Sequence, residues 1–118
     1  MRNMLRSALI AGAFTLCTAA GLAAAKADVV RVAIVVADSA ADYTSNAATA
    51  PTFVAMLKKG GAKDVVAGTD EAKMTIVTIS VWPSEAAITA VTGSADWKAE
   101  AAKLKAKSYV TEVFQIVP

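Results

Sequence analysis

Histidine is absent from all 118 residues, and the single cysteine, Cys17, lies close to the amino terminus. Beyond Cys17, the chain has none of the side chains needed for a disulfide, a thiolate nucleophile, a Ser-His or Cys-His pair, the usual nitrogen and sulfur zinc site or a His-ligated haem. Neither a transition metal nor another cofactor is expected. Charge of one sign is lacking as well. The formal net charge is +2, from 12 basic and 10 acidic residues, but Arg2, Arg6 and Lys26 all precede the first acidic residue, Asp28. Beyond residue 27 nine basic residues face ten acidic ones, so this part of the chain is nearly neutral. No basic patch suggests nucleic acid or an anionic membrane surface as a partner.

What the sequence does hold begins with an address. The basic start, Met1 to Arg6, runs into an uncharged stretch from Ser7 to Ala25 that carries Leu9, Ile10, Phe14, Leu16 and Leu22. These are the n-region and h-region of a secretory signal, and Ala25-Lys26-Ala27 sets small residues at the first and third places before a cut. Residues 1–27 are thus expected to be removed, leaving a single domain, 28–118, that begins at Asp28 in the periplasm or outside the cell. An uncleaved anchor is the rival reading, since the run approaches spanning length. Its Ala, Gly, Ser and Thr content and the cleavage site count against that, and Leu16 ahead of Cys17 counts against a lipoprotein. After the cut no membrane attachment is expected.

Roughly 90 residues can bury one modest hydrophobic core. Without disulfides, its stability must come from packing, aided by a partner subunit. Asp28 to Asp38 reads as a strand of β-branched residues interrupted only by Arg31, with apolar residues on both parities, as in a strand buried on both faces. Ser39 to Thr49 is small and polar and reads as a loop, with room for a helical turn. A helix should run from about Ala50 to Lys59, with Thr49 as N-cap, Pro51 in the first turn, Phe53, Met56 and Leu57 on one face and Gly60-Gly61 as a left-handed stop. Lys63 to Gly68 and Met74 to Trp82 read as a hairpin. Along the second strand Thr75, Val77, Ile79 and Val81 share one face, and Ile76, Thr78, Ser80 and Trp82 the other. Ser84 should cap a helix interrupted at Gly93, and Ser94 a second piece with Trp97, Ala101 and Leu104 at helical spacing. Tyr109 to Val117 closes the chain as a strand.

The fold class is therefore α+β: a ferredoxin-like βαββαβ plan, with a four-stranded antiparallel sheet carrying two helices on one face. The uncovered face carries apolar side chains, which is unusual for a soluble monomer, so a homodimer packed sheet to sheet is expected. The face bearing Ile76, Thr78 and Ser80 is taken as the one that dimerises.

The segment Thr75-Ile-Val-Thr-Ile-Ser-Val-Trp-Pro-Ser-Glu-Ala-Ala87, followed by Gly93-Ser-Ala-Asp-Trp-Lys98, resembles the strand, Trp-x-Ser, helix pattern of dimeric α/β-barrel proteins, particularly the antibiotic-biosynthesis monooxygenase-like group. The resemblance implies a dimeric barrel but no single activity, because the fold hosts several chemistries. It places Trp82 where the haem-degrading members carry a haem-distorting tryptophan. Their helix histidine has no counterpart here, and their first-strand asparagine is replaced around Val30 and Arg31. Haem degradation is therefore not implied.

Five residues are candidates for ligand binding. Trp82, at a strand end, has the flat ring to stack on a ligand, although capping the core is the commoner use of such a residue. Ser80 and Thr78 offer hydroxyls inside a barrel, or bonds across strands. Tyr43, beside Asp42, would line a mouth from the polar loop. Arg31 would hold a ligand carboxylate or, in the favoured structural reading, pair with Glu112 on the last strand. No general base meets a matched acid. The sequence is best read as an exported homodimer binding a small, partly apolar organic molecule without catalysis. A cofactor-independent monooxygenase and a structural or interaction module are the alternatives.

Overall fold

The computed structural model describes residues 28–117, so the expected signal peptide and its cleavage site lie outside the described residues. The elements are β1 (Val29–Val36), α1 (Ala40–Lys59), β2 (Asp64–Asp70), β3 (Thr75–Trp82), α2 (Glu85–Thr92), α3 (Ala95–Ala101) and β4 (Ser108–Gln115). Ser84 and Ser94 cap α2 and α3, accepting from the backbone N–H groups of Ala87 and Trp97. The strands pair antiparallel in the order β2-β3-β1-β4. This is the ferredoxin-like arrangement expected, with β1 in the interior of the sheet, where β-branched residues can pack on both faces.

Register decides which side chains meet the helices. Val29, Arg31, Ala33 and Val35 stand opposite Trp82, Ser80, Thr78 and Ile76, and residues paired in this way share one face. Val29, Val65 and Trp82 pack with Phe53 and Leu57 of α1, Ile88 of α2 and Trp97 of α3, forming the main core. Val30, Val32, Ile79 and Val81 form a second cluster on the opposite face, with Ile34, Val66, Val77 and Phe114 against it and no residue of the described helices. The expected faces are thus reversed: Ile76, Thr78 and Ser80 point toward the helices, and the uncovered apolar face carries Val77, Ile79 and Val81. The period-2 alternation is right, but both parities of β3 are apolar enough for either to be the core.

The stretch from Ser39 to Thr49, expected as a loop, belongs to α1. Ser39 caps it by accepting from the Asp42 N–H at 3.1 Å. Thr44 and Thr49 turn their hydroxyls back onto the Ala40 and Asn46 carbonyls, which satisfies them without unwinding the helix. Pro51 therefore sits inside the helix rather than in its first turn, where it can make no N–H bond to the preceding turn. Among the described residues no helix is long and apolar enough to cross a membrane.

At the end of α1, Gly61 has φ +114° and fills the left-handed stop. Gly60 does not: its φ is −78°, and glycine is needed there for space. A Cβ on Gly60 would meet the Val91 side chain of α2 at 2.0 Å, so the two helices touch through its missing side chain. Gly60→Ala is expected to cost about 1–3 kcal/mol through overpacking, seen as a lower urea midpoint with an unchanged slope.

Candidate functional site

The helix-facing side of the sheet is not filled completely. Arg31, Ala33 and Val35 of β1 and Ile76 and Thr78 of β3 form the floor of a cavity. Asn46, Thr49, Ala50, Phe53 and Leu57 of α1 roof it, and Trp97, Leu104 and Tyr109 close its sides. The cavity is narrow, with a volume of about 30 Å³. The walls therefore lie close together, and a ligand must be small or must spread them.

The aromatic wall is ordered. Phe53 and Trp97 meet edge to face, with centroids 4.8 Å apart and planes at 68°, a favoured geometry for paired rings. The Arg31 guanidinium lies 5.2 Å from the centroid of the Trp97 ring, within the range of a cation–π contact. Asn46 fixes the roof. Its Nδ2 donates to the Lys105 carbonyl at 3.0 Å, and its Oδ1 accepts from the Lys105 N–H at 2.9 Å. It is 1% exposed, and with both ends of the amide used it holds α1 to the segment leading into β4.

Of the five candidate ligand residues, the structure brings two to this cavity, Arg31 and Thr78. Trp82 and Ser80 are fully buried, and Trp82 Nε1 donates to Ser80 Oγ at 2.7 Å. They satisfy each other inside the core and do not line the cavity. Tyr43 lies on α1, half-buried and away from the cavity wall. The Arg31–Glu112 pair does not form. Arg31 stands opposite Val113, while Glu112 stands opposite Val32, so the two side chains leave opposite faces of the sheet. Asn46, Tyr109 and Phe53 were not singled out for the site. Asn46 lay in the presumed loop, and nothing local marks it as the partner of a backbone segment 59 residues away.

No family model matches this chain, and no curated protein is detectably similar to it in sequence. Solved structures match it in fold. A putative antibiotic biosynthesis monooxygenase from Caulobacter crescentus superposes with a TM-score of 0.67 at 16% identity, over 79% of this chain and 92% of that one. SnoaB, a cofactor-independent oxygenase from Streptomyces nogalater, gives 0.60 at 18% identity over 77% and 94%. A dimeric ferredoxin-like protein from an uncultured marine organism gives 0.56 at 10% over 78% and 90%. The chain has the fold of these proteins. At such identities the likeness is one of fold, the ferredoxin-like α+β architecture, and the chain spans nearly all of each neighbour's length.

Proposed function

We propose that this chain is a small exported protein, removed from its leader after Ala27, that works as a homodimer and binds a small, partly apolar molecule between α1 and the sheet without transforming it. One observation carries the reading: a narrow cavity walled by Phe53, Leu57, Ile76 and Trp97, with polar groups at only a few points and no Asp or Glu among its lining residues. Ligand sites have this composition, mostly apolar with a few placed polar groups. A wall without a carboxylate or histidine offers no ordinary general base, which favours binding over proton-transfer chemistry.

A cofactor-independent oxygenase is the second reading, favoured by the structural likeness to SnoaB. In such a reaction the substrate supplies the electrons and the protein a pocket that keeps water out. Native mass spectrometry of the protein purified from its own host tests the first reading: a small molecule should co-purify, one per chain. Added back at a hundredfold excess over its Kd, that molecule should stabilise the fold by about 2.7 kcal/mol, visible as a higher Tm. Oxygen uptake with a phenolic or quinol substrate would favour the oxygenase, and failure of both would leave an interaction module.

A further inference from the structure

Arg31 is the only arginine beyond residue 27, and it is 4% exposed. Its guanidinium carries five N–H donors and no acceptor. Among the described residues this side chain makes no hydrogen bond or ion pair, and its one charge-related contact is the Trp97 ring. None of its nitrogens is sealed away without a partner, so its N–H groups open onto space. That space is of two kinds. On one side is the cavity beneath α1; on the other is a shallower groove along β4, formed with Ile88, Thr92, Thr111 and Val113. Trp97 and Tyr109 belong to both openings, and neither opening is lined by an acidic residue.

A charge that is only 4% exposed and has no counter-charge among the described residues is costly to hold, and the contact with a tryptophan ring offsets only part of that. We propose that Arg31 is the receptor for a carboxylate, and that the ligand is a small organic monoanion with an aromatic or branched apolar body, entering along the β4 groove. Stacking on Trp97 orients the planar guanidinium, whose fork matches the two oxygens of a carboxylate. Thr78 lines the cavity two residues along β3 from Ser80, the residue opposite Arg31, and its hydroxyl is a further donor. Tyr109, 40% exposed, stands where cavity and groove meet. The ligand's apolar body then faces Phe53, Leu57 and Ile76. This inference rests on the proposed cavity reading and adds the charge of the occupant.

Benzoate and benzamide, nearly the same shape with and without the charge, separate the two claims. Titrated at neutral pH and followed by NMR, benzoate should shift the Trp97 indole signal and bind at least ~10-fold more tightly than benzamide, the usual gain of a charge-assisted bond. Arg31→Gln should abolish that preference, while Arg31→Lys should keep only part of it. Without ligand, Arg31→Gln should melt no lower than the unmodified protein, because it removes an uncompensated charge. Equal binding of both compounds at Trp97 would overturn the carboxylate proposal and leave the cavity reading standing. Absence of any shift from either would overturn the cavity reading itself. A lowered Tm for Arg31→Gln with benzoate affinity intact would make Arg31 structural. If that variant does not fold, the benzoate and benzamide comparison on the unmodified protein decides.

Discussion

Trp82→Ala should leave the domain largely unfolded at room temperature. Trp82 is fully buried and belongs to the core formed by α1, α2, α3 and the sheet. Removing a large buried aromatic costs about 3–5 kcal/mol, while the total stability of a protein is only about 5–15 kcal/mol, with small domains toward the low end. The contact with Ser80 gives a finer test. Ser80→Ala leaves the buried indole N–H without its acceptor and should cost about 1–3 kcal/mol. Once Trp82→Phe has removed the donor, Ser80→Ala should cost much less, giving a coupling of about 0.5–3 kcal/mol in a double-mutant cycle. Urea unfolding followed by circular dichroism reads all of these variants without relying on tryptophan emission. Additive losses would show that the 2.7 Å contact contributes nothing.

Ile79→Lys should convert the proposed homodimer to monomer. Ile79 is at the centre of the apolar cluster to which the described helices contribute nothing, and a symmetric interface would receive the new charge from both subunits. With about 800 Å² contributed by each subunit, somewhat over half of it apolar, burial amounts to a gross gain on the order of 20 kcal/mol. Association costs remove much of this but leave a stable dimer. Two lysines desolvated in one patch would remove the rest. Light scattering at micromolar concentration should report half the mass for the variant, while Lys105→Glu, an exposed change, should leave the mass alone. A well-folded monomer for the unmodified protein would end the dimer proposal.

Strand order, helix caps and the break at Gly93 were legible in the sequence because each has a local cause: β-branched runs, Ser84 and Ser94 ahead of apolar helices, and a glycine between them. The start of α1 was not. Ser39, Asn46, Thr44 and Thr49 are turn formers by local preference, and Pro51 argues against a helix through it. Their polar groups are satisfied by the backbones of Asp42, Ala40, Asn46 and the distant Lys105, and only the last of these is invisible to a local reading. The face of β3 was misread for a related reason. Thr78 and Ser80 look like an outer face until it is known that Ser80 accepts from Trp82 and Thr78 lines a cavity. Likewise Arg31 reads as half of an ion pair from composition alone, and only the register, which sends Glu112 to the other side, removes its partner.

The two hydrogen bonds from Asn46 to Lys105 make the cavity roof and the approach to β4 a single mechanical part. A guest that wedges α1 away from the sheet must either drag the segment around residue 105 with it or snap both bonds. The first route would carry Tyr109, at the head of β4, in the same direction. Widening the pocket at α1 would therefore move the approach to β4 with it for as long as this one amide group keeps both its bonds.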